Sequence, residues 1–444
     1  MQRIFPYRTA TNILLGIVFG SILCMAVCSK YNSHPDEMYH VGAAEFYKSA
    51  WLPPAVGDKR AIASNSDYGT TYLYQFDVCY FFTAKAAKII KYIITNINYY
   101  IQLRVVTAFL FLVMLVMCAF FVKNSCYNSA AFMLLATPQL WYVFSYVNGD
   151  AFPFFVSYLI ALLLFCREDS KETFFCSTPC SGNWYRGAVL GILIALLLLS
   201  KLNYLVFVAF LCTFALYAIF FKSEKQNRFY IFKMWMFVFF VAFCIFAPRY
   251  IYDVSINDFH KSDKLATWSQ AYAKPQYKNG TKGEPPTYYG YNLRSKGVSV
   301  ASLFRSPWEW QSVSFKSFVG LYGWMKITSP PWYYTMMALL WIFLIGVLFF
   351  LFFKNYQSLD VPLLCITFFF ILMTIIQSIY NSWCNDFQAQ GRYFFPALPL
   401  VFVILLQFKN SILERYILPL LNMVFCIAGL TSFVGVALVR ILTC

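Results

Sequence analysis

Charge is what this chain has least of. Asp, Glu, Lys and Arg together make up only 12% of its 444 residues, about half the share of an ordinary soluble domain. Hydrophobic residues reach 60% and aromatic ones 21%, with a mean hydropathy of +0.59. Charge is missing in long stretches: residues 101–122, 333–353 and 361–380 are almost free of ionisable groups. Each run is about 20 residues, the length a helix needs to cross about 30 Å of hydrocarbon. They also lack the polar face that a helix on a soluble core must present. A large soluble domain is therefore excluded, and a membrane protein is expected.

Other absences narrow the reading. The net charge of +16 comes with no dense basic run and no RNA-binding motif, which argues against a nucleic-acid partner. In a membrane chain, scattered cations set topology and meet lipid or phosphate. Cys176 and Cys180 have CxxxC spacing but no second pair and no nearby His, which argues against zinc. Most other cysteines, Cys24, Cys118, Cys212, Cys244 and Cys426 among them, sit in apolar runs, where Cys acts as a small hydrophobe. No small-x-small cleavage site precedes Lys30, so the first apolar stretch reads as a membrane helix and not a removed leader. There is no internal repeat and no low-complexity tract.

The expected fold is an all-α polytopic membrane protein, a single transmembrane domain over residues 1–444 with about eleven helices, within a range of ten to thirteen. The spans fall at 10–29, 101–122, 127–146, 151–166, 186–201, 203–221, 230–247, 332–353, 361–380, 393–408 and 416–439. With a cytoplasmic N-terminus, the short inner segments hold Arg3, Arg8, Lys123, Arg167, Lys171, Arg186, Lys222, Lys225, Arg228, Lys233, Lys354, Lys409 and Arg415. The short outer ones hold little besides Lys201 and Arg392, as the positive-inside rule requires. Two long loops then face outward. The first, 31–100, contains a mixed apolar and basic stretch at 72–94 with Lys85, Lys88 and Lys91, the pattern of an amphipathic helix lying at the interface. The second, 248–331, is rich in Tyr, Gly and Pro, shows no long helical pattern, and is expected to fold as a cap over the site. On this topology most of the carboxylates, including Asp36, Glu37, Asp67, Asp150, Asp253 and Asp386, lie outside.

Candidate chemistry follows the same geography. Asp36 and Glu37 are adjacent at the outer end of the first helix, and His40 lies one turn after Asp36. A carboxylate held at an interface can have a raised pKa and act as a general base. The pair with His40 would also suit a divalent cation, and a helix cap or solvated loop charge explains them equally well. The segment 380–392 ends in Gln390-Gly391-Arg392-Tyr393. An arginine at a helix start opposes the helix dipole unless it meets an anion, which a guanidinium binds bidentately; a snorkelling arginine is the plainer alternative. Asp386, Gln390 and Tyr393 join Arg392 as candidate substrate contacts. Asn148-Gly149-Asp150 makes a tight turn on the same side, and Asn148 and Asp150 join the candidate substrate contacts, with a plain turn as the alternative. Lys201, which with Asn203 interrupts a long apolar stretch, is either an interfacial anchor or a phosphate ligand.

Pro35-Asp36-Glu37-x-x-His40 near one end of the chain, Gln390-Gly391-Arg392-Tyr393-x-x-Pro396 near the other, and the long first outer loop resemble the GT-C superfamily, integral membrane glycosyltransferases that use polyprenyl-phosphate-linked sugars. Within it the motifs are similar to those of a bacterial membrane family of unassigned function, in which Asn148-Gly149-Asp150 takes the place of an Asn-x-Asp turn. The resemblance covers most of the chain in layout and about twenty residues in motif, and it lacks the soluble C-terminal domain of the better-known enzymes. It implies a polyprenyl-phosphate-linked sugar as donor, a glycan or lipid as acceptor, surrounding membrane lipids, and a bacterial inner membrane with the site facing outward. It also implies Asp36 as base, Glu37 as a second base or metal ligand, and Arg392, Lys201 and Arg249 on the phosphate. His40 would orient a carboxylate or touch the sugar. No cofactor is required beyond a possible divalent cation held by Asp36, Glu37 and His40.

Three alternatives stay open. An envelope polysaccharide polymerase or ligase would use outer-loop arginines on similar donors. A transporter or flippase would carry ionisable residues at the centres of its spans, where this chain has almost none. A purely structural membrane protein would not need polar residues concentrated on one side.

Overall fold

The computed structural model describes residues 5–75, 78–93, 95–121, 125–166, 181–280, 286–408 and 412–443. Cys176, Cys180, Asp77, Glu284 and the basic residues Arg3, Lys123, Arg167, Lys171 and Lys409 lie outside them. The described residues form seventeen α-helices and one two-stranded hairpin. In chain order the helices are α1 (Phe5–Cys28), α2 (Glu37–Ser49), α3 (Cys79–Ile93), α4 (Tyr99–Val116), α5 (Ser125–Leu135), α6 (Pro138–Phe144), α7 (Ala151–Phe165), α8 (Ser181–Leu198) and α9 (Leu205–Tyr217). They continue as α10 (Arg228–Ser255), α11 (Lys261–Tyr272), α12 (Trp310–Gly320), α13 (Pro331–Asn355), α14 (Val361–Cys384), α15 (Leu398–Gln407), α16 (Leu418–Ser432) and α17 (Val439–Thr443).

Six helical segments are long and apolar enough to cross a membrane, among them Tyr99–Ala119, Pro331–Ser358 and Leu418–Thr443. Four shorter apolar helices accompany them: Asn12–Cys28, Ala151–Phe165, Trp184–Leu198 and Gly391–Gln407. The expected span 127–146 is broken. Pro138 has no N–H to continue the helix, so α5 stops at Leu135 and α6 restarts with the proline in its first turn. The outer surface is apolar where these helices stand: Leu339, Ile342, Phe343, Phe349, Phe350 and Phe353 of α13 are all more than half exposed. A contiguous apolar face of this kind is uncovered in water but at home in lipid.

Small residues set the closest packing. Gly187 and Gly191 form a GxxxG face on α8, and a Cβ at Gly191 would stand 2.6 Å from the Val238 carbonyl oxygen of α10. The two backbones approach through that gap, the usual role of small-xxx-small faces between membrane helices.

The long connections gather at the end of the bundle where α1 finishes. Val56 donates to Asn257, Ser269 to the Tyr68 carbonyl, and Asn292 to the Asn385 carbonyl, which ties the segments after α1, α10 and α14 together. The first loop contains α2 and α3, and α3 carries Lys85, Lys88 and Lys91 at the expected place. The second loop departs from expectation twice. Helix α10 runs on through Pro248 to Ser255, and two short helices, α11 and α12, form where the sequence shows no long helical pattern. Their apolar residues are too few and too widely spaced to give a strong period, and tertiary packing decides the conformation. Leu321–Tyr322 pairs antiparallel with Ile327–Thr328 directly after α12.

Candidate active site

A cavity of about 290 Å³ opens between these connections. Its walls come from the start of α2 (Pro35, Asp36), the 66–72 turn, α6 and the residues after it (Tyr142, Tyr146), the hairpin tip (Gly323, Trp324, Met325), and the 386–392 segment. Tyr277 and Tyr288 of the second loop complete it.

Asp36 occupies the N-cap position of α2 in the left-handed region, φ 57°, yet its side chain makes no cap hydrogen bond. Its carbonyl accepts from Tyr39 and His40, while Asn32 takes over the capping work by accepting from Met38 N–H. The left-handed backbone is a conformation Asp tolerates better than most residues. Here it frees the carboxylate from the helix end, so the capping explanation of Asp36 fails. Among the described residues that carboxylate has no hydrogen-bond partner. Burial pushes its pKa above the ordinary carboxylate value; Arg392 and Lys201 oppose the shift, and Asp67 and Asp386 add to it.

Glu37 is one residue on and faces the other way. Both its oxygens are taken by Arg104, at 2.6 Å from Nε and 2.8 Å from Nη2, and a third bond comes from Asn32 N–H. Neither side chain of the pair is exposed to any extent. Glu37 does not line the cavity, and the reading of it as a second base or metal ligand gives way to a structural one. His40 also turns from the cavity: its Nδ1 lies 2.5 Å from the Tyr80 hydroxyl and its ring stacks on Tyr72. Burial, with Arg392 and Lys201 nearby, lowers its pKa well below the usual value and holds it neutral. Glu37 and His40 thus face Arg104 and Tyr80, while the left-handed backbone at Asp36 turns its carboxylate to the cavity instead. Among the described residues no group of three or more His, Cys, Asp or Glu side chains is gathered as for a metal ion, so the cation site drawn from Asp36, Glu37 and His40 does not form.

The cations sort themselves around Asp150. This buried carboxylate, with 1% of its side chain exposed, is 2.8 Å from Lys201 Nζ on one oxygen and 3.4 Å from Arg392 on the other. Asn148 serves the turn: its Oδ1 accepts from the backbone N–H groups of Asp150 and Ala151, and its amide donates to the carbonyls of Val143 and Tyr146. Of this group only Arg392 reaches the cavity. Its approach to Asp150 is an ion pair and not a hydrogen bond, and its buried Nε–H has no hydrogen-bond partner among the described residues. Gly391 explains how Arg392 gets there. A Cβ at that position would lie 2.1 Å from the Phe318 nitrogen, so only glycine lets the segment press against α12. Lys201 stays behind Asp150 with its ammonium 5.4 Å from the centre of the Tyr393 ring. Tyr393 itself donates to Gln388 and is not part of the cavity wall. Arg249 is elsewhere: it pairs with Asp253 at 3.5 Å and borders a separate hollow with Trp51 and Phe81. Its assignment to the phosphate is therefore corrected.

Facing Asp36 and Arg392 is a wall in which the candidate Asp386 meets Asp67, Tyr68 and Tyr277, which the sequence did not mark as site residues. Asp386 accepts from Tyr68, 2.5 Å away, and from Gln388. Asp67 accepts from Tyr39 and Lys274. Tyr68 packs edge-on to Tyr277 and is stacked with Tyr291. Burial and neighbouring Asp386 raise the Tyr68 pKa, and burial brings Tyr277 to about 12, so both hydroxyls stay protonated donors at neutral pH. Gln390 lines the cavity between this wall and Arg392. The result is one unpartnered carboxylate, one guanidinium with a spare donor, and aromatic faces around them.

A second hollow, about 540 Å³, lies at the other end of the bundle between α7, α9 and α14. Its carboxylate, Asp360, is fully engaged by Tyr217, Lys222 and the Leu363 N–H. Comparison with protein-family models, with curated proteins and with solved structures returns no match at any of the three levels.

Proposed function

We propose that this chain is an integral membrane glycosyltransferase of the GT-C kind, moving a sugar with inversion from a polyprenyl-phosphate donor to a hydroxyl of an envelope glycan or lipid. The observation that carries the proposal is Asp36: a carboxylate released from its own helix end, without a hydrogen-bond partner among the described residues, and held in a cavity beside a guanidinium. In the reaction Asp36 takes the proton of the acceptor hydroxyl as that oxygen bonds to the anomeric carbon. The bond from the anomeric carbon to the phosphate oxygen breaks, and the leaving phosphate gains charge next to Arg392. The raised Asp36 pKa suits a base that must accept a proton near neutral pH. Tyr68, Tyr277 and Trp324 offer flat apolar faces for a sugar ring, and Asp67, Asp386 and Gln390 offer acceptors and donors for its hydroxyls. The cavity volume is near the lower end of ligand sites, about 300–1,000 Å³, which favours a single sugar and its phosphate over the long glycan of a polymerase or ligase.

The same proposal includes eleven crossings, counting the broken α5–α6 pair as one, with the N-terminus cytoplasmic and the cavity facing outward in a bacterial inner membrane. The distribution of short-loop Lys and Arg supports this orientation. The test uses the full chain in lipid nanodiscs. It should bind a polyprenyl phosphate, the product common to donors of this class, and transfer a hexose from polyprenyl-phosphate hexoses. Arg392→Gln should weaken binding, and Asp36→Asn should leave binding intact while lowering transfer by about 10²–10⁴-fold. Full transfer by Asp36→Asn would remove Asp36 as base.

A further inference from the structure

Arg104 lies six residues into α4, inside an apolar span, and is fully buried. A buried cation in such a segment needs a reason. Besides the two bonds to Glu37, its Nη1 donates to the Ala26 and Ser29 carbonyls and to Ser29 Oγ, and its Nη2 to the Lys30 carbonyl. All five guanidinium hydrogens are used, and they join the last turn of α1 to the first residue of α2. Asp36 is the residue immediately before that anchor.

The chain of bonds continues. His34 has no exposed surface; its Nε2 is 2.9 Å from Ser29 Oγ and its Nδ1 is 3.1 Å from the Tyr142 hydroxyl. Tyr142 in turn accepts from the Gly323 N–H of the hairpin tip. The directions are fixed by what each group can do. Ser29 Oγ spends its hydrogen on the Met25 carbonyl, 2.6 Å away, so His34 Nε2 must carry a hydrogen and donate to Ser29. Tyr142 oxygen accepts from Gly323 and gives its own hydrogen to Nδ1. His34 is thereby the neutral Nε2–H tautomer, and its ring lies flat on Tyr146, 4.7 Å away, another residue of the cavity wall. Burial lowers its pKa well below the usual value, in keeping with that state.

We propose that Arg104 and His34, neither of which lines the cavity, are positioning residues: one continuous buried chain, Glu37–Arg104–Ser29–His34–Tyr142–Gly323, holds the Asp36 carboxylate and the Gly323–Met325 wall at a fixed separation. This rests on the reading of Asp36 as the base. Two walls from segments almost three hundred residues apart in sequence are locked by one chain of hydrogen bonds, so loosening any link lets Asp36 swing into water and the hairpin tip drift. Displacements of about 1 Å at a reacting group cost up to roughly 100-fold in rate.

The test reads Asp36 directly. The full-length protein in detergent is treated with a water-soluble carbodiimide and an amine from pH 4.5 to 8, and mass spectrometry follows labelling of Asp36, whose charged neighbours Arg392, Lys201, Asp67 and Asp386 are unchanged throughout. Labelling of the wild type should persist above the pH at which an exposed carboxylate stops reacting. In His34→Leu, which leaves no unpaired buried charge, the midpoint should move down toward the exposed value. His34→Gln offers one donor and one acceptor and should keep the wild-type midpoint. Arg104→Met should behave as His34→Leu does. With polyprenyl-phosphate hexose as donor, His34→Leu should lose about 10- to 100-fold in kcat with KM within about threefold, and His34→Gln should recover most of it. A wild-type midpoint kept by His34→Leu overturns the positioning role. An exposed-like midpoint in the wild type itself overturns the base assignment instead, which separates the two failures.

Discussion

Asp150 is the residue whose removal should tell most about how the site is held. Substituting Asn keeps its size and removes the charge that lies between Lys201 and Arg392. Breaking a fully buried ion pair costs about 3–5 kcal/mol, because the abandoned charge stays unsolvated. Lys201 has a quarter of its side chain exposed and can swing its ammonium into water, so its half of the cost is largely screened. Arg392, with 11% of its side chain exposed, has no such escape. A net loss of about 2–3 kcal/mol is therefore expected. Equilibrium unfolding in mixed micelles, followed by tryptophan fluorescence, would measure it. Replacing Lys201 by Met in the Asp150→Asn background should change this by no more than about 0.5 kcal/mol, since Lys201 already escapes into water and the stranded charge is that of Arg392. Asp150→Asn leaves Arg392 more positive toward the cavity, so a polyprenyl phosphate should bind more tightly to a less stable protein. Stability within about 0.5 kcal/mol of wild type, the size of an ordinary surface change, would refute the view that Asp150 organises the two cations.

Other consequences follow from the same geometry. Asp36→Asn should lower transfer by about 10²–10⁴-fold and raise stability at neutral pH. The sign follows from its raised folded pKa: the neutral acid's contribution is complete below the ordinary carboxylate value and is lost as pH rises through the folded one. The gap in melting temperature between variant and wild type should accordingly widen as pH rises from the ordinary carboxylate value through the folded one. Arg249→Gln, whose partner Asp253 keeps Lys261 at 2.6 Å, should leave transfer within about twofold, where Arg392→Gln loses it. Glu37→Leu and Arg104→Met should each cost about 3–5 kcal/mol, and the double variant well below their sum, because each single change strands a buried charge that the double removes. Gly391→Ala should disturb Arg392 through the backbone of α12 and reduce phosphate binding without touching a charge.

The membrane character was legible because hydropathy over about 20 residues is a property of composition, insensitive to detail. Helix ends were less so. Pro138 splits an expected span, and α10 passes through Pro248, since a proline's effect depends on whether neighbouring groups make good its missing bond. The ends of the site motifs were visible, as Asp36, Asp386, Gln390 and Arg392 all reach one cavity. What adjacency in sequence could not reveal was direction: Asp36, Glu37 and His40 share one helix start and point to three places. Arg104 did carry a signal, a lone cation inside an apolar run. Tyr68, Tyr142 and His34 carried none, since among 33 tyrosines and three histidines nothing local marks those that will meet.

The central claim is a lipid-phosphate site between Asp36 and Arg392, and a structure of the full chain with a bound polyprenyl-phosphate hexose tests it most directly. The phosphate should lie on Arg392, at its free Nε–H, with the sugar's anomeric carbon facing Asp36 across the space of one acceptor hydroxyl. A phosphate bound at the opposite end of the bundle, beside Lys222 and Asp360, would contradict it.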